Sequence, residues 1–396
     1  MTLPARWLAA SIADHLVLAR LGPQRGQKLL VLDPLAGWIW QSYHAGLRVA
    51  EIAGLLATRF GLSLGQARAD VVALLEAWRH ASEPETAMPN SEGSQTTVED
   101  VFPTDPPPPA ASTWMLQLAD RRMALVVDDP ALAEPLARII DHLGVEPGLF
   151  PDHRLRLSGI ASGWRLAVDG APIAAGDAFD EAIARTVSEL VEWGCDINSR
   201  LLVLHAAGLS QSGRGVLLIG QGGSGKTTLA AALNAEGFGL LGDDVIPVNL
   251  DGQLVGIGMS LCLKSGSWPV LASCLPNLDH APLIERFGQQ VRFSPPPGPV
   301  MRGPIPMGVF LFPHYRPSGG PTLEPLEPVA VLQRIVEAEP VISTLDPDRL
   351  NTLTRWVSSV PAFALTYAHL DQALALTERA LVESGFPTAP LYQSAS

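Results

Sequence analysis

The stretch Gly220-Gln221-Gly222-Gly223-Ser224-Gly225-Lys226-Thr227 constrains the fold more than any other part of the chain. It satisfies the pattern G-x-x-x-x-G-K-[ST] at every fixed position. The apolar run Val216-Leu217-Leu218-Ile219 before it reads as a buried strand, and Thr228 to Leu233 after it reads as a helix. Strand, glycine-rich turn and helix N-terminus in that order gather backbone N–H groups around an anion. Gly220, Gly222, Gly223, Ser224, Gly225 and Thr228 are therefore the expected phosphate cradle. Lys226 is expected to reach the β- and γ-phosphates of ATP, and the Thr227 hydroxyl to hold Mg²⁺. The bland alternative is a strand-to-helix turn with an incidental lysine.

A second feature bears on the same chemistry. The apolar strand Phe238-Gly239-Leu240-Leu241 delivers Asp243 and Asp244 to its carboxyl end, where ligands bind in open α/β sheets. One carboxylate there can bind Mg²⁺, and the other can take a proton from an attacking hydroxyl. A solvated turn is the alternative. His205 ends the strand Leu201–Leu204, with a role at the site or a structural one equally open. Lys264 is a candidate phosphate cation, and Arg292 and Arg302, which flank the Pro-rich stretch 294–299, are weaker candidates on a mobile loop. His314, Tyr315 and Arg316 read first as a surface turn.

With 396 residues, two or three domains are expected. A net charge of −13 argues against a general nucleic-acid binder. Cys195, Cys262 and Cys274 are too few and too scattered for a disulfide framework or metal cluster. Trp7 to Ala13 is a short apolar stretch broken by Asp14, unlike a signal peptide, and no run approaches the roughly 18 apolar residues of a membrane span. The expectation is a soluble cytoplasmic protein with no membrane partner.

The segment from Ser82 to Ser112, with Pro106 to Pro109, has few large apolar residues and reads as a linker. It separates an N-terminal module over 1–82 from a β-rich lead-in over 113–199 and the phosphate-loop domain over 200–396. In the module, Lys28 to Leu32 reads as a strand, followed by a helix capped by Asp33 with Pro34 in its first turn and an apolar face of Leu35, Trp38, Ile39, Trp40 and Tyr43, and by helices over about 49–60 and 64–81. One strand and three short helices form a winged-helix-like shape. Helices are also expected over 129–143, 177–193, 328–337 and 370–383.

Val31-Leu32-Asp33-Pro34-Leu35-Ala36-Gly37-Trp38-Ile39-Trp40, with Arg48 to Ala53 and the segment through Trp78, resembles PqqD-like domains over roughly residues 15–82. The resemblance implies binding of a precursor (leader) peptide by β-strand addition. It also implies possible partner enzymes of a biosynthetic system. Leu204-His205-Ala206-Ala207, Gly220 to Thr228 and Leu240 to Val245 together resemble the catalytic domain of HPr kinase/phosphorylase. That likeness implies an α/β P-loop kinase fold, ATP and Mg²⁺ as cofactors, and a homo-oligomer. It makes Asp243 the proton acceptor, with Asp244 assisting or binding metal and His205 supporting nucleotide or acceptor. The family's later Arg-Gly-Leu-Gly signature has no clear counterpart beyond Met301-Arg302-Gly303-Pro304, which leaves the phosphorylase activity, the carrier-protein substrate and the hexameric state open. The combined expectation is a kinase for a Ser or Thr hydroxyl on a ribosomally made precursor peptide, in the manner of lasso-peptide tailoring. A kinase for a small metabolite such as serine, or a non-catalytic nucleotide-dependent switch, uses the same residues.

Overall fold

The structure, a computed structural model, describes residues 7–20, 29–82, 111–146, 150–160, 163–286 and 288–387. Nearly all of the expected linker falls outside them. The chain divides into two compact units.

The first unit begins with β1 (Trp7–Ile12), β2 (His15–Arg20) and β3 (Leu29–Leu32), then α1 (Pro34–His44), α2 (Val49–Phe60) and α3 (Leu64–Ser82). The sheet order is β1-β2-β3, all antiparallel. Asp33 caps α1 by accepting from the Ala36 N–H, with Pro34 at the first turn. Gly61 ends α2 in the left-handed conformation that favours glycine. Leu16, Leu18, Ile39, Ile52, Leu56, Val71, Leu75 and Trp78 form the core. The β1–β2 hairpin is an addition to the sequence expectation. Its first strand is Ala-rich, yet Ala10 and Ile12 are buried while Ala9 and Ser11 are exposed, the period of two that a strand requires.

The second unit continues with β4 (Ser112–Leu118), β5 (Arg121–Val127), α4 (Pro130–Ile140), β6 (His153–Ile160), β7 (Gly163–Val168), β8 (Ala171–Gly176) and α5 (Phe179–Cys195). β9 (Arg200–Leu204), β10 (Ala206–Gln211), β11 (Arg214–Ile219), α6 (Lys226–Ala235), β12 (Gly239–Gly242), β13 (Ile246–Asn249) and β14 (Leu254–Gly256) follow. Next come β15 (Leu261–Lys264), α7 (Trp268–Leu271), β16 (Leu283–Arg286), β17 (Gln289–Ser294), β18 (Gly303–Ile305), β19 (Met307–Tyr315) and β20 (Thr322–Pro325). The remaining elements are α8 (Pro328–Glu337), β21 (Val341–Ile342), α9 (Pro347–Ser359), β22 (Ala362–Tyr367) and α10 (Leu370–Glu383).

Two boundaries differ from expectation. The lead-in strands, α4 and α5 share one apolar core with Val203, Val255, Ile257, Met259, Ile284 and Phe293, so no break in packing falls at residue 200. Residues 328–336 and 342–359, most of α8 and all of α9, group with the N-terminal unit, and α9 packs on β1. Contact between segments so far apart in sequence leaves no local trace in composition or periodicity.

The glycine-rich loop 220–225 follows β11 in a six-stranded sheet of order β12-β10-β11-β19-β22-β20. β11, β19 and β22 run parallel, while β10 is antiparallel to both β11 and β12. The carboxyl ends of β12, β11, β19 and β22 and the start of β10 consequently share one rim. Val216, Leu218, Val309, Leu311, Leu229, Leu233 and Phe238 pack with residues of α10 beneath it.

Candidate active site

The rim is assembled from local sequence. β11 ends at Ile219, and α6 begins at Lys226 with Gly225 as its N-terminal cap at φ 97°. A Cβ at Gly225 would lie 2.2 Å from the Tyr367 hydroxyl, so glycine is required there by both backbone and space. A Cβ at Gly222 or Gly223 would meet no atom within 4 Å, which leaves that part of the loop open. The Ser224 Oγ is buried without a hydrogen-bond partner, an orphan polar atom that a phosphate oxygen would satisfy. The Lys226 amine donates to the carbonyls of Gly220 (2.6 Å) and Gln221 (3.1 Å). Burial lowers its pKa, against the opposing pull of Asp244 and Asp243. These features fit a nucleotide's phosphates.

The two aspartates occupy different environments. Asp243 is 8% exposed, and both carboxylate oxygens are engaged. One accepts from the Thr227 hydroxyl at 2.9 Å and the other from the Cys262 N–H at 3.1 Å. A loop threonine joined to a strand-end carboxylate fits an octahedral Mg²⁺, which needs one or two carboxylates besides phosphates and water. Among the described residues, no group of three or more His, Cys, Asp or Glu is arranged to hold a metal by itself. Asp244 has a side chain 35% exposed and stands at φ 73°, a left-handed conformation uncommon outside glycine. Its Oδ2 lies 3.2 Å from the Arg286 guanidinium, and its Oδ1 lies 3.9 Å from the His205 Nδ1. His205 marks the bend where β9 leaves one sheet and β10 enters the next.

Sequence reasoning paired Thr227 with Asp244 at the metal; the hydroxyl instead meets Asp243. Two of the three candidate cations are structural. Arg292 donates to the carbonyls of Asp279 and Ala281 and stacks on Trp268, and Arg302 donates to the His142 carbonyl. Arg292 lies within β17 and Arg302 directly precedes β18. Lys264 is exposed and lies within electrostatic reach of Lys226. Sequence reasoning missed Arg286. It also read Tyr315 as a surface turn, whereas the Tyr315 N–H donates to the Ser224 carbonyl at 3.2 Å, and the Tyr367 hydroxyl approaches the same oxygen at 3.4 Å. Two ends of parallel strands thereby brace the loop.

Burial first, and then the Asp244 charge, raise the Asp243 pKa to about 7 from 3.8. A carboxyl that holds its proton in the folded state up to about pH 7 makes stability fall as pH rises from about 4 to about 7. A metal ion here would require the ionised form, so a bound Mg²⁺-nucleotide would expel that proton. Titration calorimetry below about pH 7 in buffers of different ionisation enthalpy is expected to show proton release. Affinity should decline by up to about tenfold per unit of falling pH. Asp243→Asn should abolish the release.

No helix among the described residues is long and apolar enough to cross a membrane. No curated protein matches the chain. Residues 21–82 match the family described as Coenzyme PQQ synthesis protein D (PqqD), and the N-terminal segment therefore carries a PqqD domain.

Proposed function

We propose that this chain is an ATP-dependent kinase that phosphorylates a Ser or Thr hydroxyl on a ribosomally made precursor peptide recruited by the PqqD domain. The observation that carries the reading is the Thr227–Asp243 hydrogen bond beside the open glycine loop, with Asp244 next to it. The order of His205, hairpin, phosphate loop, helix and paired aspartates supports a kinase domain of the HPr-kinase type.

Bound Mg²⁺ would supply positive charge against the β- and γ-phosphate oxygens. Thr227 and Asp243 would hold it. Lys226 would turn from the loop carbonyls to the phosphates. The geometry favours Asp244, not Asp243, as proton acceptor, because Asp243 is sealed by two hydrogen bonds while Asp244 faces solvent. The acceptor oxygen bonds to the γ-phosphorus, the bond from that phosphorus to the β,γ-bridging oxygen breaks, and ADP departs with its electron pair. The hydroxyl proton passes to Asp244, whose neighbours before transfer are His205 and Arg286.

Peptide recruitment is supported by the edges of the N-terminal sheet. β1 carries α9 on it, and β3 pairs, among the described residues, with β2 alone. An extended peptide can add beside β3. Tethering raises the local acceptor concentration, so the catalytic rim need not bind the peptide tightly. Deleting residues 1–82 would also strip α9 of its partner, so it is a poor test. A better one offers the full chain a panel of synthetic leader-type peptides. Hydrogen exchange should slow at Leu29–Leu32, and ADP release should rise with peptide. Peptide-independent turnover of a small hydroxylated metabolite, with no protection at β3, would contradict recruitment.

A further inference from the structure

Transfer of a phosphoryl group spreads negative charge over its equatorial oxygens, and enzymes of this chemistry meet it with a cation placed beside the metal. Lys226 serves the nucleotide side of the transferred group. The acceptor side needs its own positive charge, and Arg292 and Arg302 are committed elsewhere.

β15, β17 and β16 form a small sheet in which β17 is antiparallel to both neighbours, so the carboxyl ends of β15 and β16 lie at the same end. Those ends are Lys264 and Arg286. The same sheet is tied to the rim through the Cys262 N–H, which donates to Asp243. Arg286 Nη1 lies 3.2 Å from Asp244 Oδ2 and 3.5 Å from the Cys262 Sγ. Its side chain is only 23% exposed. Asp244 in turn lies within electrostatic reach of the Lys226 amine. A half-buried guanidinium is thereby delivered to the exposed member of the carboxylate pair.

We propose that Arg286 is a catalytic residue that binds the transferred phosphoryl group, exchanging its contact with Asp244 for phosphate oxygens as the group moves to the acceptor. This rests on the kinase reading. The exchange has a second effect. While Arg286 covers Asp244 it occupies the carboxylate; when it turns to the phosphoryl oxygens, Asp244 is free to accept the hydroxyl proton. A guanidinium suits the role because its fork can bridge two phosphate oxygens, which an ammonium cannot do.

The test compares the intact chain with Arg286→Ala and Arg286→Lys, using MgADP alone and MgADP with aluminium fluoride, a mimic of the phosphoryl group in transfer. In the unmodified chain, fluoride should tighten MgADP binding. In Arg286→Ala, MgADP alone should bind nearly as before, which also reports a folded loop. The tightening should fall by about 10²-fold or more, with Arg286→Lys intermediate. MgADP binding with the tightening intact in Arg286→Ala would confine Arg286 to holding Asp244 and overturn the proposal alone. Absence of fluoride tightening in the unmodified chain would do the same. Failure of the unmodified chain to bind MgADP would overturn the kinase reading, and this proposal with it.

Discussion

Asp244→Asn is expected to slow phosphoryl transfer by about 10²- to 10⁴-fold while leaving MgADP affinity little changed. The substitution is a clean one because Asn tolerates the left-handed backbone that Asp244 adopts at φ 73°. It removes the proton acceptor, the charge that Arg286 faces, and the part of the Asp243 and Lys226 pKa shifts that Asp244 causes, so MgADP binding is compared above about pH 7, where Asp243 is ionised in both chains. Asp243→Asn should do the reverse. Its carboxylate is bound to the Thr227 hydroxyl and the Cys262 N–H, so its loss falls on metal and nucleotide affinity. Quench-flow or steady-state ADP release separates transfer, and titration calorimetry separates binding. If Asp243→Asn bound MgADP normally yet lost transfer, while Asp244→Asn remained active, the buried aspartate would be the proton acceptor and the two carboxylates would trade roles.

Gly225→Ala carries the second large effect. The residue stands at φ 97°, where an L side chain costs about 1–2 kcal/mol. Its new Cβ would also fall 2.2 Å from the Tyr367 hydroxyl, closer than atoms can approach, and the helix start or the tyrosine must move. Since Tyr367 and Tyr315 brace the Ser224 carbonyl, either movement disturbs the cradle. Melting temperature should fall by several degrees, and MgADP binding should be lost. Gly223→Ala isolates the conformational part, because at φ 83° its Cβ meets nothing within 4 Å. It should be the milder of the two. Adding Tyr367→Phe to Gly225→Ala should recover part of the stability by removing the colliding oxygen. Equal behaviour of Gly225→Ala and the unmodified chain would mean that the loop tolerates a shape the tight contact forbids.

The parts of the site that sequence revealed are those written over short spans. Val216 to Leu233 carries strand, loop and helix in one continuous pattern, and Asp243 and Asp244 follow their strand directly. His205 is legible at the rim because β10 turns straight into β11. Arg286 is not legible: it lies 42 residues from Asp244 and arrives through a three-stranded sheet whose pairing no local pattern announces. The same holds for Tyr367, carried in by a parallel strand that follows α9. Arg292 and Arg302 mislead for the converse reason. A cation beside a Pro-rich stretch looks available in sequence, and only the backbone carbonyls of Asp279, Ala281 and His142 reveal that it is spent on packing. In the N-terminal unit, the helix caps at Asp33 and Gly61 are readable, whereas the β1–β2 hairpin is hidden by alanines too small to mark a buried face.

In the function we propose, the glycine loop, Lys226, Thr227 and Asp243 form one site for a magnesium-bound nucleotide. Calorimetric titration of the intact chain with MgATP tests this most directly. One nucleotide per chain is expected to bind, weakened sharply when Mg²⁺ is chelated and lost in Lys226→Ala. No heat of binding in the unmodified chain, or binding indifferent to both magnesium and Lys226, would contradict it.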